Sequence, residues 1–473
     1  MKTFFSRPRP CSEKTFMKTR TLFRNYNWKK TLTACLWLAM PLLWLSAVTG
    51  CGSSLHAQTK VFNVRDFGAT GNGKTLDTKA IQETLDACGK AGGGTVLFPP
   101  GKYLSQPLTL RNKTTVRIEA GATLLADTNQ NEYLKVPGDW LKAKSSGDFI
   151  PFIGGKKLTD ITFTGGGTID GNGAAWWGEA EKARAIKPGY TLPRPNLIGL
   201  ERCRNVRLEN ITLENSPKFH FVPADCDDVV VSNVTILAPE HAANTDAIDP
   251  SGHHILITKC KIDVGDDDVA IKAGKTTPPG QFESEDITIT DCTILHGHGI
   301  SIGSETLGGV RNVTVRNCTF ENTENGLRIK SQRGKGGLVE NIHYRDITMK
   351  NVNPAITLTC YYMNNSAGDT RQPSAPKQDV AGLVNSKTPV FRDIYISNLT
   401  ATCQKGAGVI TGLPESGISN VVLENVRISA VKGLKITNAK DIQFKDVQVT
   451  TREGPPFILD NAQVEGLPQA AGK

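Results

Sequence analysis

An alternation of apolar and polar residues recurs along the second half of the chain. In VRLENITL at 206–213, two alternating apolar residues precede an Asn, a pivot apolar residue and a further apolar residue two positions on. Alternation with a period of two predicts short β-strands. The pivot positions of the nine copies are Ile211, Val234, Cys260, Cys292, Cys318, Ile347, Leu399, Val426 and Val447.

The spacing of the copies identifies the architecture. Successive pivots lie 23, 26, 32, 26, 29, 52, 27 and 21 residues apart, and repeats of this length indicate a solenoid. No helical period of 3.6 appears inside the repeat, which excludes helical arrays. We therefore predict an all-β, single-domain right-handed parallel β-helix of about ten coils, extending back through 116–125 and 161–170. The interval of 52 residues is predicted to hold two coils, of which the middle one is degenerate.

Corners and a cap complete this fold prediction. The residue before the pivot is Asn or Asp in eight of the nine copies, with Lys259 as the exception. Asn and Asp tolerate the left-handed backbone of a sharp corner, and stacked amides can hydrogen-bond. Residues 77–88 predict a helix over the N-terminal end, with Asp77 as N-cap and Gly89 at its exit. Its apolar face would comprise Ala80, Ile81, Thr84, Leu85 and Cys88.

The positive charge of the chain is confined to its N-terminus. The formal net charge is +9, but residues 1–57 hold nine of the 55 Lys and Arg and one of the 46 Asp and Glu. The remaining 46 basic and 45 acidic side chains nearly balance. Electrostatic binding to nucleic acid is therefore not expected.

The same N-terminal segment is typical of an export signal. Lys29 and Lys30 precede an uncharged apolar run at 31–50, followed by small residues. Residues 48–51, VTGC, resemble a bacterial lipobox, which would place a lipid on Cys51, while a competing cleavage site follows Ala57. We expect a signal sequence over 1–57 and the β-helix domain over 58–473. An uncleaved membrane anchor is the alternative.

The cysteines divide into two groups. Cys260, Cys292 and Cys318 occupy the pivot position, so they are expected to be buried core residues. Cys203 and Cys226 lie about one coil apart and are the pair predicted to form a disulfide. No Cys or His pair at metal-ligand spacing occurs, which disfavours a metal site.

Four polar motifs interrupt the apolar rhythm at coil spacing. They are Asn244-Thr245-Asp246 with Asp249, Gly265-Asp266-Asp267-Asp268, Gly297-His298-Gly299 and Arg328-Ile329-Lys330. Asp246 and Asp266 are 20 residues apart, His298 follows after a further 32 and Arg328 after a further 30. Residues one coil apart stack at strand spacing, so we expect one patch on one face.

Clustered carboxylates point to acid–base chemistry. Several acids in one patch resist simultaneous ionisation, so one pKa should rise and make that group a general acid, while the others activate water. Paired carboxylates indicate glycoside hydrolysis, and the neighbouring His and cations suit a negatively charged substrate. Taken singly, GDDD would indicate a solvated turn or a calcium site. The coincidence of four motifs favours the functional interpretation.

NTD, GDDxxAIK, GHGISIGS and RIK, in this order, resemble the polygalacturonase family of glycoside hydrolases, family 28, over roughly residues 60–450. The resemblance implies inverting hydrolysis of α-1,4 bonds between galacturonic acid units, without a metal or other cofactor. It implies that Asp266 is the general acid and that Asp246 and Asp267 hold and deprotonate the attacking water. His298 would support the acid, and Asn244, Arg328, Lys330 and Tyr362 would contact substrate. Asp268 stands where the family commonly has Cys.

Several alternatives stay open at this point. The substrate could be a related pectic backbone such as rhamnogalacturonan or xylogalacturonan, although His298 favours galacturonan. A β-helix polysaccharide lyase is a rival class, which the NTD and GHG motifs disfavour. A non-catalytic glycan-binding β-helix is a second, which the presence of all three matched acids disfavours. The partner would be an acidic polysaccharide, and a monomer is expected. The loops at 126–150, 171–195 and 361–392 carry Trp140, Trp176, Trp177, Tyr190 and Tyr361, and their surplus length favours a cleft closed at one end and exo action.

Overall fold

The computed structural model describes residues 60–187, 191–362 and 379–468. The predicted export signal with Cys51, the loop residue Tyr190 and residues 363–378 of the third loop lie outside these ranges. Within them, no helix combines the length and the apolar character needed to cross a membrane.

The chain forms a succession of short parallel strands. The strands of the N-terminal half are β1 Val61–Asn63, β2 Asn72–Leu76, β3 Gly94–Phe98, β4 Gly101–Ser105, β5 Leu108–Thr109, β6 Thr114–Ile118, β7 Ala122–Ala126, β8 Ile153–Lys156, β9 Thr159–Thr164, β10 Thr168–Asp170, β11 Ile198–Glu201, β12 Arg204–Glu209, β13 Thr212–Glu214, β14 Phe221–Ala224, β15 Cys226–Ser232 and β16 Thr235–Leu237. Those of the C-terminal half are β17 Gly252–Thr258, β18 Lys261–Val264, β19 Val269–Ile271, β20 Ser284–Thr290, β21 Thr293–His296, β22 Ile300–Gly303, β23 Val310–Glu321, β24 Leu327–Lys330, β25 Leu338–Val352, β26 Ile356–Thr359, β27 Val390–Cys403, β28 Gly406–Thr411, β29 Ile418–Ala430, β30 Lys432–Thr451 and β31 Phe457–Glu465. The helices are α1 Thr78–Lys90 and α2 Ala174–Ile186, with 3-10 turns at Val64–Phe67, Gln130–Tyr133, Trp140–Lys142 and Ser146–Asp148.

Each strand pairs in parallel with the strand one coil further on. Val206 pairs with Val229, and the same ladder continues through Ile255 and Ile287. A second ladder follows each corner, and a third face contains β19, β22, β24 and β26 in register. Inward side chains of all three faces are apolar and buried. The prediction of a right-handed parallel β-helix is confirmed.

The interval of 52 residues is one coil, not two. Ile347 of β25 pairs directly with Leu399 of β27, so no rung lies between them and the prediction of a degenerate middle coil is wrong. The extra length leaves the stack after β26 and returns at Val390. In the described part of this insertion, no strand lies between β26 and β27.

The corner prediction holds at every copy of the repeat. The residue before the pivot has a positive φ in all nine, from 51° at Asn210 to 59° at Asp291, and Lys259 adopts it as well with φ 55°. The amides form the expected stack: Asn233 Nδ2 donates to Asn210 Oδ1 at 2.7 Å, and Asn425 donates to Asn398 at 2.9 Å. Lys259 therefore adopts a left-handed backbone conformation that is unfavourable for lysine, at a position that is Asn or Asp in the other copies.

The predicted capping helix is present and contacts the first rungs of the solenoid, β1 and β3. Ile81, Leu85 and Cys88 are buried in the common core. Asp77 stands at the N-cap, but its carboxylate accepts from the backbone N–H groups of Thr70 at 2.7 Å and Gly71 at 2.9 Å. The helix continues through Gly89 and ends at Lys90, two residues later than predicted.

The three pivot cysteines are free, buried thiols, as predicted. The predicted disulfide between Cys203 and Cys226 is wrong, because both thiols are free as well. The backbone N–H of Cys203 donates to Cys226 Sγ at 3.3 Å, and both side chains are buried among apolar residues of adjacent coils. Packing and weak hydrogen bonds to sulfur take the place of a covalent link.

Candidate active site

The four polar motifs meet at the third face of the solenoid. Asp246 precedes Ile248, which pairs with Val269, and the Asp266–Asp268 run directly precedes β19. His298 precedes β22, whose Ser301 pairs with Arg328 of β24. The predicted single patch is therefore correct. It opens into a cleft of about 520 Å³ lined by Thr191, Lys218, Phe219, Val222, Ala224, Asn244, Asp246, Asp249, Ser251, Asp266, Asp267, Lys272, Gly274, Ser304, Glu305, Lys330 and Tyr362.

Asp266 is held on both carboxylate oxygens. Its Oδ2 accepts from the backbone N–H of Asn244 at 3.0 Å and from Asn244 Nδ2 at 3.4 Å. Its Oδ1 accepts from the backbone N–H of Asp267 at 2.9 Å and lies 3.1 Å from His298 Nδ1. Burial alone would raise the pKa of Asp266, but the charge and hydrogen bond of His298, with Lys330, hold it well below its ordinary value.

His298 lies between two carboxylates. Its Nε2 is 3.0 Å from Oε2 of Glu324, opposite the Asp266 contact. Burial would lower the pKa of His298, but Asp266 and Glu324 raise it to about 10. At neutral pH the proton of this pair therefore rests on the imidazole. The expectation that a raised pKa marks Asp266 does not hold, because the neighbouring cation outweighs burial.

Asp267 is an ion-paired carboxylate. Oδ1 accepts from Ser301 Oγ at 3.1 Å and from the Arg328 guanidinium, and Oδ2 accepts from Lys330 Nζ at 2.6 Å. Burial opposes ionisation, but these two cations lower the pKa of Asp267 to about 2. Arg328 and Lys330 are both buried, so in the structure their first partner is this aspartate.

Asp246 and Asp249 are buried acids, and in each of them Oδ1 has no hydrogen-bond partner within the described ranges. Burial and then repulsion from Asp249, Asp266 and Asp267 raise the pKa of Asp246 well above its ordinary value. Burial also raises the pKa of Asp249 to about 6, although Lys272 Nζ, 3.8 Å from its Oδ2, opposes this shift. The raised pKa expected for one acid of the patch is thus found at Asp246.

Asp268 serves the local backbone. It is fully buried, and its Oδ2 accepts from the backbone N–H of Gly299 at 2.8 Å. A Cβ added at Gly297 would lie 2.6 Å from this carboxylate. Because glycine has no Cβ, the carboxylate fits at this position. Burial raises the pKa of Asp268. The residue supports the turn that carries His298 and does not line the cleft.

Two lysines that the sequence analysis did not single out, Lys218 and Lys272, also line the cleft. Lys218 lines it and donates to Ser146 Oγ at 2.9 Å, and Lys272 donates to the Gly303 carbonyl at 3.2 Å. Lys272 is the last residue of GDDDVAIK and directly follows β19, and its place one residue after the inward Ile271 was the available signal. Glu324 was also missed, since nothing in its local sequence marks it. Tyr362 lines the cleft with Lys330 Nζ 4.9 Å from its ring centroid.

The loop aromatics named from sequence pack elsewhere. Trp140 and Trp176 are buried and meet edge to face, with ring centroids 5.0 Å apart. Trp177 Nε1 donates to the Ser216 carbonyl at 3.2 Å, and Tyr361 Oη bonds Asp379. Within the described ranges, the cleft lining contains none of these four. Thr191, from the loop at 171–195, and Tyr362, from the loop at 361–392, do line the cleft.

One group of side chains has the spacing of a metal site. Among the described residues, ligand atoms of Asp266, Asp267 and His298 lie within 4.8 Å of one another. Both oxygens of Asp267 already accept from cations, and both nitrogens of His298 face carboxylates. These donors do not fit a metal ion, because none of them is free for it.

Comparison with known proteins agrees with this geometry. The sequence model for "Glycosyl hydrolases family 28" matches residues 88–441. The chain is 34% identical over 374 residues to an endo-polygalacturonase of Pectobacterium carotovorum subsp. carotovorum, covering 76% of this chain and 86% of that protein. Among solved structures, it is similar to the polygalacturonase from Erwinia carotovora ssp. carotovora, with TM-score 0.63, 31% identity and coverage of 83% and 94%. It is also similar to a hyperthermoactive exopolygalacturonase from Thermotoga maritima, with TM-score 0.66, 25% identity and coverage of 83% and 92%.

Proposed function

Because the chain belongs to family 28 of the glycosyl hydrolases, we propose that its cleft hydrolyses α-1,4-galacturonosidic bonds in polygalacturonate or its oligomers with inversion of configuration. The observation that carries this proposal is the set of three aspartates, Asp246, Asp266 and Asp267, gathered in one cleft. Two carboxylates on either side of a glycosidic bond can supply the acid and the base of such a reaction.

The charge of the cleft suits an acidic sugar chain. Lys218, Lys272 and Lys330 line it together. Lys330 is paired with Asp267, whereas the described contacts of the Lys218 ammonium are the Ser146 hydroxyl and the face of the Phe219 ring, both uncharged. A galacturonate carboxylate entering the cleft would find an ammonium group free of a bonded acid. Tyr362 also lines the cleft, with Lys330 Nζ 4.9 Å from its ring centroid.

Proton supply falls to Asp266 and His298 acting as one unit. The proton resides on His298 Nδ1, next to Asp266 Oδ1. As the bond from the anomeric carbon to the leaving oxygen breaks, a proton passes from His298 Nδ1 to the Asp266 carboxylate and from Asp266 to that oxygen, which leaves His298 neutral and Asp266 ionised. In this assignment Asp266 is the general acid and His298 is its proton source.

Water activation falls to Asp246. Its Oδ1 has no partner among the described residues and can accept from a water, and the raised pKa makes the ionised form of Asp246 a stronger base than that of Asp267. Asp267 has both oxygens occupied, so it orients Arg328 and Lys330, and its charge helps to raise the pKa of Asp246. The water loses its proton to Asp246 while its oxygen attacks the anomeric carbon from the face opposite the leaving group.

The test is a digestion of polygalacturonate followed by proton NMR at early times. We expect new reducing ends of inverted configuration, no unsaturated product absorbing in the ultraviolet and the same rate in EDTA. Initial retention would contradict the roles of Asp246 and Asp266. An unsaturated product would make the protein a lyase, and loss of activity in EDTA would contradict the metal-free assignment.

For mode of action, we propose exo cleavage from one closed end of the cleft. The support is that Thr191 and Tyr362, from two long loops, both reach the cleft lining. Loops beside a sugar cleft commonly set how much chain can enter. Viscosity of polygalacturonate should then fall slowly relative to reducing-end release, with monomer or dimer as first product. A rapid fall in viscosity with mixed oligomers would show an endo-acting cleft.

For location, we propose export directed by residues 1–57, as a monomeric domain that acts outside the cytoplasm. Cys51 would carry a lipid, or cleavage would follow Ala57. The mass of the mature protein from a bacterial host decides between these outcomes. A mass that includes residues 1–50 would contradict both.

A further inference from the structure

Arg194 is a buried cation whose described contacts are all with uncharged groups. It is 1% exposed, and within the described parts of the chain no acid lies at ion-pair distance from its guanidinium. Nε donates to the Leu192 carbonyl at 3.3 Å, Nη2 donates to the Ala243 carbonyl at 3.1 Å, and Nη1 has no partner among the residues that the structure describes. An unpaired buried charge costs folding free energy, so its presence beside the cleft calls for a functional reason.

The third contact of Arg194 leads to Asp266. Nη2 also donates to Asn244 Oδ1 at 3.0 Å. Because that oxygen must accept, the other end of the same amide is Nδ2, which faces Asp266 Oδ2 at 3.4 Å. The backbone N–H of Asn244, a residue with φ 57°, donates to the same oxygen at 3.0 Å. A single residue thus connects the guanidinium with the carboxylate.

We propose that Arg194 is a positioning residue that fixes the Asp266 carboxylate through Asn244. The inference rests on the proposed function, since it gives Asp266 the role of acid. It also changes the expected role of Asn244, whose side chain is engaged at both ends by protein groups. Arg194 itself does not line the cleft. Its removal should therefore affect turnover and leave substrate binding nearly unchanged.

The test compares kcat and KM on polygalacturonate. Arg194→Met, which keeps length and removes every donor, should lower kcat by about tenfold or more, because small displacements of a catalytic group cost large factors in rate. KM should change by less than about twofold. Asn244→Ala should show a comparable loss, and adding Arg194→Met to it should have little further effect. Independent, multiplying losses would overturn the proposal.

Two further variants sharpen the result. Arg184→Gln removes a cation that lines the same small pocket as Arg194, and it should leave kcat and KM unchanged. Arg194→Lys keeps a charge but cannot bond both the Ala243 carbonyl and Asn244, so it should give an intermediate kcat even if the Met variant fails to fold. Normal kcat in the Lys variant, or a loss confined to KM, would contradict the positioning role.

A crystal structure of Arg194→Met separates this inference from the proposed function. The Asn244 amide is expected to rotate and Asp266 Oδ2 to lose its contact with Nδ2. An unchanged Asp266 carboxylate would overturn the inference, whatever the substrate is. A wild-type protein that fails to cleave polygalacturonate would instead overturn the proposed function.

Discussion

Nε2 of His298 lies 3.0 Å from Oε2 of Glu324, while Nδ1 of the same ring lies 3.1 Å from Oδ1 of Asp266. A ring that faces an anion at each nitrogen is stabilised in its doubly protonated form. The two carboxylates therefore store a proton on His298, next to the group proposed to deliver it.

Glu324→Gln should move the basic limb of the pH–rate profile to lower pH. Removal of an anion destabilises the imidazolium, so the pKa of His298 falls from about 10 and its proton is lost at lower pH. The profile of kcat/KM measures this shift. Glu321→Gln, which removes an exposed acid bound to Lys350, is the control and should leave the limb in place. An unmoved limb in the Glu324 variant would show that His298 does not supply the proton.

Asp266→Asn and Asp246→Asn should each lower the rate on polygalacturonate by at least about a hundredfold. They should differ on an aryl galacturonide, whose leaving group needs no proton. The Asp266 variant should keep much of its activity there, whereas the Asp246 variant should not, because water activation is still required. The opposite result would exchange the two roles. Circular dichroism confirms that both variants fold.

Lys330→Ala should lower kcat as well as weaken binding. The ammonium bonds Asp267 Oδ2 at 2.6 Å and also lines the cleft. Its loss leaves the buried Asp267 with Arg328 as its remaining cation, and the pKa of Asp267 should rise. Steady-state kinetics on polygalacturonate give both constants. Lys335→Ala removes a half-exposed cation 3.8 Å from Glu305 and should have a small effect. A change in KM alone would show that pairing with Asp267 is dispensable.

Lys259→Asn should stabilise the protein by up to about 1 kcal/mol. Lys259 has φ 55° between Asn233 and Asp291 on neighbouring rungs, and Asn adopts this backbone at lower cost. The new amide can also join the corner stack. The urea midpoint measures the gain. Lys261→Asn, in strand β18, is the matched control and should not stabilise. A lower midpoint for Lys259→Asn would contradict the corner argument.

Cys260→Val should change the free energy of unfolding by less than about 1.5 kcal/mol, because the swap conserves volume at a buried pivot. The neighbouring pivot Val234 shows that the stack accepts this residue. Cys260→Ala, which leaves a cavity, should cost more. A loss of several kcal/mol in the Val variant would indicate a covalent or ligand role for the thiol.

The fold was predictable because its determinants are local. The residue before each pivot adopts a left-handed backbone whether it is Asn210 or Lys259, so position in the repeat decides the corner. Insertion length was not predictable, since residues between Thr359 and Val390 carry no signal of whether they form a rung. The direct pairing of Ile347 with Leu399 depends on the register of the whole strands β25 and β27, which the local sequence does not show.

The sequence predicted which residues meet in the site, but it predicted less well how their charges are paired. Coil spacing brought Asp246, Asp266 and His298 together. The pairing of Asp267 with Arg328 and Lys330 joins side chains 61 and 63 residues apart, and their mutual neutralisation depends on rotamers that spacing does not reveal. Arg194 reaches the site from a segment outside the repeat, so no periodicity marks it.

The direct contact between the rungs of Ile347 and Leu399 has a consequence for how such an enzyme could diversify. Strand pairing holds the floor of the cleft, with Arg328 and Lys330 on β24, while the intervening excursion can grow or shrink without disturbing the next rung. The residues that carry out the chemistry and the loop that controls access to them therefore lie on separate segments of the chain. Exchanging the excursion for one of another length should change which chain ends are admitted, with the acids of the floor left as they are.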